Sequence, residues 1–238
     1  FPGQFPSVRA RRGAIIFSVA DVKAVIRAKE FLLFPTIPQV LSIVTAIRER
    51  VRKRNTAIPF EQNALESCLK LVCQRLHESV RLIEPRLRKV LDSFKIEKSS
   101  LQSSLHRLLS LKNEVDELQE SIVKVCKCMN DVLLNDEDMS LMYLTERISN
   151  GGKRINPDQH QEVEMLFENY LLQARHGESQ GGCVELLASE VREFQNEVRN
   201  TEEIVEIELD VLRNNILRFE LLLSISAFTV TLGALVTG

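Results

Sequence analysis

The sequence contains few of the residues that interrupt helices or fill β-sandwich cores. Its 238 residues include 9 Gly, 7 Pro and 5% aromatic residues, whereas long stretches consist of Leu, Val, Glu, Lys and Arg. This composition argues against a sandwich or barrel and is typical of a helix-dominated protein. We therefore expect helix over well more than half of the chain. The hydrophobic content of 44% is sufficient for a real core.

The chain also lacks an excess of one charge. Its 31 Lys and Arg residues face 33 Asp and Glu residues, which leaves a formal net charge of −2. No strong overall field therefore favours a nucleic-acid partner, and we expect none.

Motifs for catalysis, zinc binding and nucleotide binding are missing from the sequence. Cys126 and Cys128 form the one Cys-x-Cys pair among 5 Cys and 4 His residues, and on a helix their side chains point about 200° apart. Gly151-Gly152-Lys153 lacks the spaced glycines of a phosphate-binding loop, and no nucleophile and base pair is recognisable. We therefore expect no enzyme. The odd number of cysteines favours a reducing compartment.

The first twelve residues contain no apolar run and no initiator Met, so they form neither a secretory signal nor an intact transit peptide. We expect that a targeting segment has been removed. Residues 1–58 are predicted to form an incomplete α/β sheet layer. Ala14–Val19 and Phe31–Phe34 are β-prone runs that bracket Asp21–Glu30, with further strands expected upstream. A helix is predicted from Thr36 to about Arg54.

Residues 59–182 are predicted to form a helical bundle. Apolar residues recur at helical spacing from Phe60 to about Phe94, with a kink expected at Pro85, and again from Leu101 to about Leu134. These two helices should pack antiparallel. A third helix is predicted from Asn156 to Arg175, and Ser149–Arg154 should form a mobile loop.

The last segment has the longest uninterrupted helical pattern. Cys183 to Leu232 contains no Gly or Pro, which predicts a helix of about 50 residues and roughly 75 Å. Residues spaced by seven along it suggest a seam between parallel copies; they are Val191, Val198, Val205, Leu212 and Phe219. Residues 183–220 are assigned as a stalk helix. Residues 221–238 carry no charge over 18 positions and are assigned as a truncated first transmembrane helix.

The fold class predicted from these patterns is α+β and predominantly helical. It combines a small, partly truncated sheet layer, an antiparallel helical bundle and one very long C-terminal stalk helix that enters the membrane.

Three segments together resemble the mitochondrial and plant branch of the CorA-type magnesium channels. They are Pro59–Glu66 (PFEQNALE), Leu134–Thr145 (LNDEDMSLMYLT) and Thr201–Asn214 (TEEIVEIELDVLRN). In the first segment Gln62 and Asn63 differ from the commoner residues of that branch.

The resemblance implies the metal-sensing domain and inner pore helix of a homopentamer in a lipid bilayer, with Mg²⁺ as both the transported and the regulatory ion. The isolated chain is expected to be a monomer or dimer, since it ends before the Gly-Met-Asn selectivity motif and the second transmembrane helix. The implied location is the mitochondrial inner membrane with the soluble domain in the matrix; a chloroplast or other organelle membrane is the alternative.

The resemblance also assigns residues to the pore. Asp210 matches an acidic ring at the inner mouth, Arg213 a basic ring and Leu217 a hydrophobic constriction. Leu221 follows one turn further, and beyond Asn214 the helix becomes the membrane span. Carboxylate rings concentrate divalent cations, and apolar rings gate by dewetting. Without the resemblance, Asp210 and Arg213 are read as a solvated i, i+3 pair.

Regulatory magnesium requires a few carboxylates, because the ion retains several waters. Glu114, Glu117 and Glu120 lie on one predicted helical face, which Glu193 of a neighbouring subunit could meet. The run Asp136, Glu137 and Asp138 is a further candidate; it lacks the glycine of an EF-hand loop, and its alternative reading is a solvated helix terminus. The resemblance implies closure of the channel when matrix Mg²⁺ is high.

Two other functions remain open at this point. One is a non-transporting coiled-coil tether anchored by its C-terminal span. The other is a regulatory paralogue that assembles with a conducting subunit.

Overall fold

The computed structural model describes residues 6–11, 13–34, 45, 48–49, 58–96, 101–150, 160–172 and 184–237. Four strands and six helices are assigned within these ranges. The strands are β1 (Ser7–Arg11), β2 (Ala14–Val19), β3 (Val22–Ile26) and β4 (Phe31–Phe34). The helices are α1 (Phe60–Ile96), α2 (Leu101–Leu133), α3 (Asp136–Ser140), α4 (Leu144–Ser149), α5 (Gln161–Leu172) and α6 (Val184–Thr237). The α+β, mostly helical fold class is confirmed.

The sheet is an antiparallel meander in the order β1-β2-β3-β4. The bounds predicted for β2 and β4 are confirmed, whereas β1 and β3 were not predicted. β3 lies inside the segment assigned as the connection between the two predicted strands. It pairs with β2 through Val19 and Val22 across a two-residue turn. Consecutive hairpins therefore connect the four described strands.

The core lies between this sheet and the helical bundle. β3 packs against α1, and β1 packs against α2. Alternate residues of the strands face the helices, so that Ile15, Phe17 and Ile26 are at most 1% exposed. Complete burial of such side chains stabilises the fold by about 1.5–3 kcal/mol each.

α1 and α2 form the antiparallel pair that the sequence predicts. Arg86 of α1 contacts Glu114 of α2, while Ser93, further along α1, contacts Ser104, nearer the start of α2. Pro85 lies inside α1, which continues to Ile96. Most of the predicted apolar stripe on α1 is buried; its buried members are Leu65, Leu69, Val72, Leu76, Val80, Ile83 and Leu87.

The third predicted helix corresponds to α5, which packs against α1 and α2. Its predicted start at Asn156 and its predicted end at Arg175 lie outside the described residues, as does most of the helix predicted for 36–54. Ser149 closes α4, so it is helical rather than part of the predicted loop. The short helices α3 and α4 were not predicted.

The long C-terminal helix is confirmed and comprises 54 residues in α6. It passes through Gly233, where an added Cβ would have no neighbour within 4 Å. The chain divides into two compact units, 1–194 and 195–238; the finer four-segment division stays a prediction.

The sevenfold row on α6 changes character along its length. Val191, Val198 and Val205 are buried, whereas Leu212 and Phe219 are 53% and 67% exposed. Every residue from 206 to 235 is exposed. The second half of the predicted seam is therefore uncovered in the single chain.

Candidate functional site

The pore residues suggested by the sequence share one exposed face of α6. On a helical projection at about 100° per residue, the five lie within an arc of about 100°. They are Asp210, Arg213, Asn214, Leu217 and Leu221, and all are exposed. Helical spacing alone therefore places the acidic, basic and apolar candidates in that order along one stripe. Their role in a pore stays a prediction.

One further acidic residue lies on this stripe. Glu206 lies one turn before Asp210 on the same face and is also exposed. Within the described part of the chain, Asp210 and Arg213 form no ion pair, whereas Arg199 and Glu203 do, with Nε and Oε1 3.4 Å apart. Both side chains are exposed, and their reading as a solvated pair stays a prediction beside the pore assignment.

The apolar part of α6 satisfies the length and composition requirements of a membrane span. Val184–Leu235 contains an 18-residue window of this kind, none of which is buried within the protein. A helix of about 20 apolar residues crosses a bilayer. An unburied apolar helix surface of this length needs another apolar environment.

The three glutamates predicted to share a face of α2 have different partners. Glu114 accepts two hydrogen bonds from the Arg86 guanidinium, at 2.6 and 2.8 Å. These bonds hold the pKa of Glu114 below its usual value. Glu120 pairs with Lys124 at 2.7 Å. Among the described residues Glu117 has no ion-pair partner, so it is the most available of the three.

Glu117 lines a half-open acidic cavity of about 460 Å³ between α1, α2 and the β2–β3 turn. Asp21, Glu78 and Glu114 also line it, against one cation, Arg75. Arg75 lies 3.6 Å from Asp21. The cavity therefore keeps an excess of negative charge.

A strained turn presents Asp21 to this cavity. Ala20, the preceding residue, has a φ of 49°, a conformation that costs a residue with a Cβ of the order of 1 kcal/mol. The turn closes the hairpin between Val19 and Val22. Its geometry directs the acidic residue towards the helices.

No three His, Cys, Asp or Glu side chains of the described residues are close enough to form a closed metal site. The acidic cavity can hold a cation only with much of its water retained, which is the usual behaviour of Mg²⁺. Glu193 is exposed on α6.

The other acidic run opens a short helix. Asp136, Glu137 and Asp138 form the first turn of α3, where negative charge favours the helix dipole. Asn135 caps this helix by accepting a hydrogen bond from the Asp138 N–H at 3.1 Å. Asp136 also approaches His160 at 3.6 Å. The run therefore begins a short helix, and its role as a regulatory metal site stays a prediction.

A buried carboxylate connects two of the three segments that carry the family resemblance. Glu61, 1% exposed at the start of α1, accepts hydrogen bonds from the backbone N–H and the hydroxyl of Thr145, at 2.8 and 2.7 Å. The N–H groups in the first turn of a helix have no partner within that helix. Tyr143, the N-cap of α4, supplies no side-chain cap, so Glu61 caps α4 from a distance of 84 residues along the chain. We call this contact the Glu61 clamp.

The same region fixes the start of α5. The Tyr143 hydroxyl accepts a hydrogen bond from the Val163 N–H at 3.4 Å, and burial raises the pKa of that hydroxyl. Gln62 donates to Glu162 at 2.9 Å. Polar contacts therefore connect helices α1, α4 and α5. The start of α1 and residues 143–145 belong to the recognised motifs, whereas α5 does not.

Glu61 and Thr145 both lie within the recognised motifs, but the sequence predicts no role for either residue. An acidic residue in the first turn of α1, followed by the buried residues Ala64 and Leu65, is a weak signal of a buried cap. Its partner 84 residues away is not apparent from periodicity.

Comparisons with known proteins agree with the segments quoted above. The profile of a family described as "Magnesium transporter MRS2-like" matches residues 2–213. The chain is 26% identical over 239 residues to "Mitochondrial inner membrane magnesium transporter mrs2" of Schizosaccharomyces pombe, covering 97% of this chain and 54% of that protein.

Two further relatives come from another yeast and from a plant. "Mitochondrial inner membrane magnesium transporter LPE10" of Yarrowia lipolytica is 26% identical, covering 97% of this chain and 50% of the relative. "Magnesium transporter MRS2-11, chloroplastic" of Arabidopsis thaliana is 26% identical, covering 98% and 52%. The chain spans about half the length of these relatives.

Proposed function

Because this chain belongs to the MRS2-like magnesium transporter family, a family of transporters rather than enzymes, we propose that it forms the metal-sensing domain and inner pore helix of a magnesium channel. The proposed location is the mitochondrial inner membrane, which the names of several relatives specify; one plant relative is named as chloroplastic.

The observation that supports this proposal most directly is the ordered stripe on α6. Acidic Glu206 and Asp210, basic Arg213 and apolar Leu217 and Leu221 follow one another along one exposed face. In a homopentamer this stripe would line an axis, and the exposed second half of the sevenfold row would supply the contacts between copies. Rings of carboxylates would concentrate Mg²⁺ before the apolar ring that gates by dewetting.

Asp210→Ala tests the pore assignment. In the complete protein reconstituted in liposomes containing a magnesium-sensitive dye, we expect Mg²⁺ influx to fall by roughly tenfold, equivalent to about 1.4 kcal/mol in local cation binding. The matched control is Glu208→Ala, because Glu208 is an exposed acid only two residues away but about 200° around the helix.

Asp210→Glu should retain most of the influx because it keeps the charge. Equal influx in the Asp210→Ala and Glu208→Ala proteins would remove Asp210 from the pore. Absence of influx in the unsubstituted protein would favour the tether instead.

We further propose that the acidic cavity is a regulatory cation site that favours the closed channel. A hydrated Mg²⁺ would offset the repulsion among Asp21, Glu78 and Glu117. When matrix Mg²⁺ falls, loss of the ion restores that repulsion and loosens the packing of the β2–β3 turn on α1 and α2.

Glu117→Gln tests this regulatory site by removing one charge from the cavity. For the unsubstituted chain in detergent, Mg²⁺ at ten times its Kd should stabilise the folded state by about 1.4 kcal/mol, which raises Tm by about 3–5 °C. The variant should lose most of this rise. Melting curves followed by circular dichroism, at constant ionic strength, provide the measurement.

Glu168→Gln is the matched control, because Glu168 is an exposed acid of α5 outside the cavity. If Mg²⁺ raises Tm equally in both variants, Glu117 is not a ligand. If it raises Tm in none of the three proteins, the single chain contains no regulatory site.

A further inference from the structure

A second cavity, which shares no lining residue with the acidic one, is bordered by basic side chains. It lies along β1, the outer strand on one side of the described sheet, and has a volume of about 500 Å³. Arg9 and Arg11 contribute to it from β1, and Lys124 and Lys127 from α2. An adjoining cavity of about 430 Å³ shares Arg9 and Arg11, so the two form a continuous groove.

The charge of this groove is not balanced by its own carboxylates. The larger cavity has four cations against one carboxylate, Asp131, and the adjoining one adds Asp138. Lys124 pairs with Glu120, which does not line the cavity. Within the described part of the chain, Arg9, Arg11 and Lys127 have no ion-pair partner.

The wall of the groove also carries uncharged groups beside Asp131. Burial raises the pKa of the Cys128 thiol to about 11, so the thiol remains neutral at physiological pH. Ser7 and Ser18 add hydroxyl groups. A cleft lined mainly by charges of one sign concentrates ions of the opposite sign more than an open surface does.

The spacing of the cations indicates the class of anion. Arg9 and Arg11 lie two residues apart on β1 and so project from the same side of the strand. Guanidinium groups bind phosphate oxygens in a bidentate manner, and lysine binds them as a point charge. The four cations exceed Asp131 and Asp138 by two charges. A phosphate group, with a charge of about −1.5 to −2, would offset this excess more fully than a single carboxylate.

We propose that this groove, defined by Arg9, Arg11, Lys124 and Lys127, binds a ligand that carries more than one phosphate charge. The volume of the larger cavity is within the range of small-molecule sites, about 300–1,000 Å³. Neither the pore stripe nor the acidic cavity includes any of these four residues, so the proposal is independent of the proposed function.

Inorganic pyrophosphate is the probe for the first experiment, with the whole chain in neutral detergent and magnesium-free buffer, since pyrophosphate chelates the cation. Calorimetric titration should give saturable binding. The Arg9→Gln/Arg11→Gln variant should bind at least about tenfold more weakly, because two charge-assisted contacts are lost. Its matched control is Arg81→Gln/Arg88→Gln, which removes two exposed arginines from α1.

A second experiment identifies the source of the phosphate. The same proteins are melted in micelles with and without phosphatidic acid, and with free ATP. If ATP or pyrophosphate stabilises the chain and only the Arg9→Gln/Arg11→Gln variant loses this effect, the ligand is soluble. If phosphatidic acid alone stabilises the chain and the same variant loses the effect, the ligand is a lipid headgroup. The proposal is wrong if no probe binds, or if both double variants lose binding equally.

The Arg9→Gln/Arg11→Gln variant is expected to fold normally, because both arginines are exposed on β1. Lys127→Glu provides a check from α2 rather than β1. It reverses one charge of the groove and should weaken pyrophosphate binding more than the neutral substitution Lys127→Gln does. Equal affinities for these two variants would contradict an electrostatic site.

Discussion

Replacement of Glu61 by Ala is expected to destabilise the folded chain by about 3 kcal/mol. The substitution leaves the Thr145 N–H and hydroxyl without the acceptor that both now share. A buried polar group left unpaired costs about 1–3 kcal/mol, and bonds to a charged group are at the upper end. For a chain of this size, the melting temperature should fall by roughly 6–12 °C.

Glu66→Ala is the control for this change, because Glu66 belongs to the same motif and the same helix but is exposed. It should alter stability by no more than about 0.5 kcal/mol. Thr145→Val removes the hydroxyl contact alone, and the double variant should cost less than the sum of the single ones. Additive effects, or a Glu61→Ala melt that matches Glu66→Ala, would show that the Glu61 clamp does not stabilise the fold.

The Glu61 clamp also explains what the separated motif segments do together. Pro59–Glu66 starts α1, and Leu134–Thr145 contains α3 and the start of α4. Glu61 and Thr145 join these segments, and Tyr143 extends the contact to α5. Two motifs that look independent in the sequence therefore stabilise a single corner of the helical bundle.

The long helices could be predicted because their signal is local and repeated. In α1 a residue facing the core recurs every three or four positions from Leu65 to Leu87, and all of these side chains are buried. In α6 the lack of Gly and Pro before Gly233 was sufficient to predict its continuity. Long periodic segments average out the weak preferences of individual residues.

The sheet and the short helices were harder to predict for a physical reason. β1 and β3 each have 5 residues, and in β3 the alternation of Val22, Ala24 and Ile26 includes one small residue. The pairing of β3 with both neighbours decides its structure. α4 likewise depends on the remote cap from Glu61, and such tertiary contacts have no signature in local sequence.

The candidate site was predictable where geometry follows from one helix alone. The pore stripe on α6 requires only helical spacing. By contrast, the three glutamates on one face of α2 have different partners. Glu114 pairs with Arg86 and Glu120 pairs with Lys124, which leaves Glu117 for the cavity. The cavity that Glu117 lines also requires Asp21, which the β2–β3 turn of the N-terminal sheet supplies.

Replacement of Val230 by Arg is expected to reduce membrane integration of the chain by roughly a hundredfold. Val230 is 71% exposed and lies near the middle of the uncharged stretch 221–238. On insertion scales, an arginine at the centre of a helix costs about 2.5–3.5 kcal/mol. Because each 1.4 kcal/mol is a factor of about ten, the partition constant should change by about two decades. Alkaline extraction of membranes after translation in vitro gives the measurement.

Ile207→Arg is the matched control on the same helix. Ile207 is also a β-branched residue, 63% exposed, but it lies among the charged residues Glu206 and Glu208, in the part assigned as the stalk. Its substitution should leave integration within about twofold of the unsubstituted chain, since an arginine there remains in water. If both substitutions release the chain, the span begins earlier along α6 than Leu221. If neither does, the apolar half of α6 is not in the membrane, and the pore stripe loses its physical basis.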